Sequence, residues 1–217
     1  MAAYQKLQQT KGPVFHLIDE TKPSLLIVFT GKQPNMDSPG FNLGKGTIGW
    51  PVSKIYVRDL NNLWYHGEHP GIGGGVDDLA KHLSTLVDRA NAREVVTVGG
   101  SMGGYAAILF GCLLGAQKVV AFGPQVFIDK WNRLRYWDYR SIQLKREAFA
   151  SHYANPEYYD VRSVLLRTKN RPCVHLHIGA GNRIDRGHAR HLWGIPEVSI
   201  TYHPTSRHDV DQAPNVV

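Results

Sequence analysis

The chain has 217 residues, 42% hydrophobic and 20% charged, which is enough apolar material for a full-sized core and argues against a disordered chain. Lysine and arginine outnumber aspartate and glutamate 25 to 18, and the formal charge of +7 favours anionic partners such as polyanionic glycans, phosphorylated cofactors, nucleic acid or a membrane face. No apolar run approaches the roughly 18 residues of a membrane span, the opening Met-Ala-Ala-Tyr-Gln-Lys lacks the apolar centre of a signal peptide, and no nucleic-acid-binding motif is present.

These features predict one cytoplasmic domain over residues 1–217, with no nucleic-acid partner and no membrane span. Cys112 and Cys173 are too few for a disulfide framework and are expected as buried free thiols in a helix and a strand.

In chain order, Val14–Ile18 and Leu25–Phe29 read as strands joined by the turn Asp19–Pro23, which suggests an antiparallel hairpin at a sheet edge. Gln33 to Gly49, rich in Pro, Gly and Asn, reads as an ordered loop, and Lys54–Arg58 as a third strand. Apolar residues at Val76, Leu79, Ala80, Leu83, Leu86 and Val87 predict an amphipathic helix over Gly75–Ala90. Val95–Val98 is a fourth strand, Tyr105–Gly115 its helix, and Lys118–Phe122 a fifth strand closed by Gly-Pro. Trp131–Tyr153 is aromatic and basic, with a helical pattern over Ser141–Ser151. Cys173–Ile178 and Val198–Tyr202 are the sixth and seventh strands, with a short helix at Gly187–Leu192 between them. Strands alternating with helices after an antiparallel start imply an α/β fold with a mostly parallel, doubly wound sheet.

The chemistry concentrates at Gly99-Gly-Ser101-Met-Gly103, a G-x-S-x-G pattern between a strand and a helix. A serine at so tight a turn adopts a strained backbone that lifts its Oγ above the sheet. Glycines two residues either side remove the Cβ atoms that would collide as strand and helix close up. The new helix directs its free N–H groups at the site, so the N–H of Met102 can receive an oxyanion.

Serine alone is a poor nucleophile and needs a base and an orienting acid. With such an elbow the partners follow in the order serine, acid, histidine, at the carboxyl ends of later strands. Asp185 follows the sixth strand and His208 the seventh. Asp209 and Asp211 compete for the acid, although Asp209 adjoins His208 and neighbouring side chains do not easily face each other. His203 competes for the base, but it directly follows the strand and Pro204 restricts it to an extended conformation.

From roughly Leu25 to Val210 the sequence resembles the α/β-hydrolase superfamily, through GGSMGGYAA and the ordered Asp185 and His208 loops. The stretch Arg58–Tyr65, with GGSMGGYAAILFG and AFGPQ, resembles a subgroup found with bacterial surface-polysaccharide and glycosyltransferase genes. The resemblance implies Ser101 as nucleophile, Asp185 as acid, His208 as base, and a second oxyanion donor after the Leu25–Phe29 strand, at Thr30 or Gly31. It also implies a lid insertion, placed at about 125–160, where Trp131, Tyr136, Trp137 and Tyr139 mix with Arg133, Arg135 and Arg140. A basic, aromatic lid suits a glycan or an anionic acyl donor. A C-terminal helix normally follows the histidine in that superfamily, whereas Asp209–Val217 carries Pro214, which opposes a long helix.

Asp59, Asn61, Trp64 and Tyr65 are expected to line a substrate pocket, with a sugar as the candidate occupant and loop packing as the alternative. His175-x-His177 and the pair His188 and His191 are weak metal candidates, and no metal site is expected. Gly71–Gly75 lacks nucleotide-loop spacing. The expected function is hydrolysis of a short acyl ester, with acetyl on carbohydrate as the candidate substrate, by a Ser-His-Asp triad and an acyl-enzyme, without a cofactor. The alternatives are an O-acetyltransferase using acetyl-CoA as co-substrate and a polysaccharide hydroxyl as acceptor, and a non-catalytic glycan-binding module.

Overall fold

A computed structural model describes residues 2–35 and 40–210. Elements α1 (Ala2–Gln9), β1 (Val14–Leu17), β2 (Ser24–Phe29), α2 (Gly44–Thr47) and β3 (Ser53–Val57) precede a separate two-stranded ribbon, β4 (Glu68–His69) and β5 (Gly73–Gly74). Then follow α3 (Gly75–Ala90), β6 (Glu94–Gly100), α4 (Met102–Leu113) and β7 (Lys118–Phe122). After them come α5 (Lys130–Tyr136), α6 (Ile142–Ala150), a 3-10 turn at Pro156–Tyr158 and α7 (Val161–Arg167). β8 (Cys173–Gly179), α8 (Arg183–Leu192) and β9 (Val198–His203) complete the described elements.

Seven strands form one sheet in the order β1-β3-β2-β6-β7-β8-β9, parallel except that β1 runs antiparallel to β3. The expected hairpin of β1 with β2 is therefore not formed, because β3 lies between them. Every residue of β3 is buried, so the strand needs a partner along both edges. Lys54 is accommodated because its ammonium donates to the carbonyls of Trp50 and Val52. Ser53 fastens the β1–β2 turn by accepting from the Asp19 N–H and donating to the Asp19 carbonyl.

The strand order explains where the helices lie. Right-handed crossovers put connections that progress the same way along the sheet on one face. The steps from β3 to β6, β7, β8 and β9 all progress one way, and α3, α4, α7 and α8 bury their apolar sides in one core with Leu25, Ile27, Phe29, Val119, Val174 and Leu176. The step from β2 back to β3 runs the other way. Its segment, with α1, packs Leu7, Phe41 and Leu43 against Leu26, Val28 and Tyr56 on the opposite face. Cys173 opens β8 on that second face and is exposed, against expectation, while Cys112 is buried within α4.

Several helices begin where a side chain caps them. Asn182 accepts the Asp185 N–H at 3.1 Å, so α8 starts at Arg183 rather than at Gly187, and Asp185 lies in its first turn instead of in a loop. Asp129 and Asp160 likewise cap α5 and α7. Among the described residues no helix is long and apolar enough to cross a membrane.

Candidate active site

β6 runs directly into Ser101, whose φ of 56° and ψ of −119° place it in a strained backbone region. Three backbone hydrogen bonds hold that turn. The Ser101 N–H donates to Phe122 O at 2.9 Å, and the Ser101 carbonyl accepts from Tyr105 and Gln125 N–H at 3.1 and 3.2 Å. A Cβ on Gly99 would collide with the carbonyl of Gly103. One on Gly103 would collide with the carbonyl of Phe29 and lie 2.9 Å from Gly31 N. The two glycines therefore serve a close approach of α4 to the ends of β2 and β6.

His208 Nε2 lies 2.8 Å from Ser101 Oγ, and its Nδ1 lies 2.7 Å from Asp185 Oδ2. The histidine comes from the loop after β9, which rests on the end of β8: Gly181 N–H donates to Thr205 O and Ala180 N–H to His203 O. Gly123, at φ 50°, leaves room for the His208 backbone, since a Cβ there would lie 2.7 Å from His208 O. The competing residues are occupied elsewhere. His203 Nε2 is 3.0 Å from His177 Nδ1, with the two rings stacked, and Asp209 pairs with Arg207. Asp211 lies outside the described residues.

Asp185 is held by a buried charge network that has no signature in the sequence. Arg140 Nη1 donates to Asp185 Oδ1 at 2.8 Å, while Arg140 Nε donates to Asp138 Oδ1 at 2.9 Å. Asp138, fully buried, also receives Lys145 Nζ and His188 Nε2. Burial alone would raise the Asp138 carboxyl, but His188, Arg140 and Lys145 outweigh it and hold it well below the usual carboxylate range. Burial brings the Lys145 ammonium down to about 8 despite Asp138. His188 is lowered to about 4, first by burial. The geometry agrees: its Nδ1 accepts the Val126 N–H at 3.1 Å, so Nε2 carries the proton of a neutral ring. Arg140 Nη1 also lies 3.3 Å from His208 Nδ1. Both atoms face Asp185 as donors when the triad is set, so this contact is a close approach of charge to ring rather than a hydrogen bond.

The oxyanion expectations separate. The Thr30 N–H extends the β2–β3 ladder to Val57 O at 2.9 Å and is not available as a donor. Gly31 lies beside the elbow, where a Cβ would be 2.9 Å from Gly100 O and 3.9 Å from Ser101 Cβ. Among the described residues neither the Gly31 nor the Met102 N–H has a hydrogen-bond partner. The cavity over Ser101, about 270 Å³, is lined by Gly31, Lys32, Asn42, Leu43, Gly100, Phe122, His208 and Asp209. Lys32, Asn42 and Leu43 come from an irregular segment whose sequence carries no motif. Gln125, within the AFGPQ stretch, brings its Nε2 to 3.4 Å from Ser101 Oγ.

Asp59, Asn61, Trp64 and Tyr65, expected in a substrate pocket, do not line this cavity. Asp59 instead accepts the N–H groups of Asn61, Leu63 and Tyr65, fastening a turn in which Asn62, Trp64 and Tyr65 all have positive φ. Trp64 and Tyr65 are fully buried. Their segment acts on the site from behind. Asn62 exchanges two hydrogen bonds with the Gln33 backbone, and Tyr65 Oη donates to Thr30 O, which together brace the strand end carrying Gly31. Trp64 lies under Lys145, 5.2 Å from its ammonium. The other histidine candidates also have structural partners, His175 with Ser199 and His191 with Asp160.

No family model matches the sequence, and no curated protein matches it. Solved structures do match. The capsule O-acetyltransferase of Neisseria meningitidis serogroup A is 12% identical over 95% of this chain and 94% of its own, with a TM-score of 0.65. A variant of that enzyme in complex with CoA gives 12% identity over 94% and 92% of the two chains, with a TM-score of 0.61. FphF, a fluorophosphonate-binding serine hydrolase of Staphylococcus aureus, is 13% identical over 90% of this chain and 81% of its own, with a TM-score of 0.60. With the mostly parallel seven-stranded sheet, these similarities give the chain the α/β-hydrolase fold.

Proposed function

We propose that the chain is a serine esterase that removes a short acyl group, acetyl above all, from an ester on carbohydrate. The observation that carries this is the continuous chain from Ser101 Oγ through His208 to Asp185, with contacts of 2.8 and 2.7 Å. Ser101 attacks the carbonyl carbon as its proton passes to His208 Nε2. Asp185 holds the Nδ1 proton and stabilises the imidazolium. The N–H groups of Met102 and Gly31 receive the oxyanion. Collapse expels the alcohol, which takes the proton from His208. Water, deprotonated by the same histidine, then splits the acyl-enzyme and releases the acid.

A second reading is O-acetyl transfer, favoured by the similarity to a capsule O-acetyltransferase over nearly the whole of both chains. A thioester such as acetyl-CoA would then supply the acyl group as co-substrate, and a sugar hydroxyl would replace water in the second step. The triad would serve either reaction unchanged.

Intact mass after treatment with a fluorophosphonate, together with turnover of p-nitrophenyl acetate and acetyl-CoA, tests the proposal. One adduct on Ser101 is expected, and Ser101→Ala is expected to lose the adduct and about 10⁴-fold or more in ester turnover. Turnover retained in Ser101→Ala would overturn it. Acetyl-CoA consumption that rises when glycan is added, with acetylated glycan as product, would select transfer. No adduct and no turnover would favour a glycan-binding module without catalysis.

A further inference from the structure

A second concentration of charge lies between α5 and α8. Arg135, Arg183, Arg186 and Arg190 line a groove of about 260 Å³ with Tyr136, Trp137 and Gly187. On α8 the three arginines are spaced i, i+3, i+7, so they fall on one face in a stripe about 10 Å long. The opposite wall is α5, whose Tyr136 ring lies against α8 at Gly187, where a Cβ would be 3.1 Å from it.

None of these four side chains makes an ion pair or hydrogen bond with another described residue. Arg140, by contrast, is held by Asp138 and Asp185, and Arg171 pairs with Glu197. Like charges three and four apart on a helix destabilise it, and a fourth guanidinium across the groove adds to the repulsion. An anion in the groove would relieve this. Guanidiniums spread along a line match charges repeated along a chain better than a single phosphate, which wants its donors to converge.

Exposed aromatic faces border the stripe. Trp137, in a left-handed conformation after α5, is 63% exposed, and Trp193, just past α8, is 76% exposed. Trp193 and Arg190 share a neighbouring cavity with Tyr202. The stripe also starts in the turn of α8 that carries Asp185.

We propose that the α5–α8 groove binds an acidic glycan, its anionic groups on Arg135, Arg183, Arg186 and Arg190 and its sugar rings against Trp137 and Trp193. A glycan is favoured over other polyanions because it also carries the hydroxyls or O-acyl groups that Ser101 chemistry requires. To that extent the choice of occupant rests on the proposed function, while binding itself does not need Ser101.

The test is calorimetric titration of the full chain with a heparin-derived hexasaccharide, uncharged maltohexaose and the oligonucleotide dT6. The protein is used as wild type, Ser101→Ala, the double variant Arg186→Gln/Arg190→Gln, and Arg135→Gln on the facing helix. The sulfated hexasaccharide is expected to bind wild type and Ser101→Ala alike, to weaken about tenfold or more in the double variant, and to weaken in Arg135→Gln. Raised salt is expected to weaken it further, and maltohexaose is expected not to bind. Unchanged affinity in folded double variant and in Arg135→Gln, or no binding to wild type, overturns the groove. Binding of dT6 as tight as that of the hexasaccharide overturns the glycan as occupant. Loss of ester turnover in Ser101→Ala with binding intact separates the fate of this proposal from that of the esterase.

Discussion

The two sides of the Ser101 cavity are held by different physics. The elbow side, from β6 through Ser101 into α4, is apolar and set by backbone contact: α4 is buried from Met102 to Cys112, and Gly103 leaves no room for a Cβ against the Phe29 carbonyl. The Asp185 side, where Arg140 meets α8, is polar and set by charge, with Asp138, Lys145 and His188 all buried beneath Asp185. The first kind of wall tolerates no added atom. The second tolerates a change of shape but not an unbalanced charge.

Substitutions on the two walls should separate them. Gly103→Ala is expected to have the largest effect, because its methyl has only the backbone of Phe29, Thr30 and Gly31 to displace. Overpacking of side chains costs about 1–3 kcal/mol, and a clash with three backbone atoms, which cannot rotate aside, should go well beyond that range. The expected outcome is little folded protein, seen as a lost or sharply lowered melting transition. Normal stability with normal ester turnover would mean that the elbow is looser than its contacts indicate.

Asp138→Asn comes next. It leaves Lys145 and Arg140 with too little negative charge in a buried place, a kind of loss that costs about 3–5 kcal/mol. Because a buried pair can be replaced by apolar groups of similar volume, Asp138→Asn combined with Lys145→Met should recover part of that loss. Urea unfolding of the three proteins reads the difference. A double variant no more stable than Asp138→Asn would show that this wall, too, depends on shape.

The same contrast explains what could be read from sequence. The elbow is local: six consecutive residues, all of them small but Met102, and a strand before them carry its geometry, so Ser101 and Met102 stand out. Asp185 and His208 could be placed because the segments that precede them, CVHLHI and VSITY, read as strands from their short runs of apolar residues. The network under Asp185 joins residues 138 and 140 of the α5–α6 connection with 145 in α6 and 188 in α8, and no periodicity links them. Thr30 and the Asp59–Tyr65 stretch mislead for a related reason. Both lie at strand ends near the site, but whether an N–H or a ring faces the cavity depends on pairing and burial, which here turn them inward.

Acid should act mainly on the buried histidines. His188 and His66 are both lowered to about 4, first by burial, so the unfolded chain binds their protons near the ordinary value of 6.5 while the fold excludes them. The fold is therefore at full strength from these groups above about pH 6.5 and loses it as pH falls toward 4, by about 3 kcal/mol for each. Asp138, lowered instead, contributes stability above the ordinary carboxylate range and weakens only at more acid pH. Urea midpoints at pH 7.5, 6 and 5 should fall progressively, and His188→Gln should flatten part of that fall. Equal midpoints at the three values would mean that the rings are already charged or exposed.

The smallest effect belongs to Arg140, which in the proposed mechanism touches no reacting atom, acts through Asp185 and the nearby His208 ring, and is therefore a positioning residue. Its guanidinium occupies the Asp185 oxygen that His208 does not use, and Asp138 keeps it there. Arg140→Gln keeps a donor of shorter reach, so Asp185 should sample rotations that break its 2.7 Å contact with His208. A carboxylate that orients the base for only part of the time lowers kcat in proportion, and a loss of about tenfold, near 1.4 kcal/mol, is the expected size. KM should change little, since Arg140 is not among the residues that line the Ser101 cavity. Arg140→Lys restores charge but not the two-pronged hold on Asp138 and Asp185, so recovery by lysine would assign the role to charge, and no recovery would assign it to geometry. Either result sharpens the contrast between the two walls; wild-type kcat in Arg140→Gln would remove Arg140 from the site.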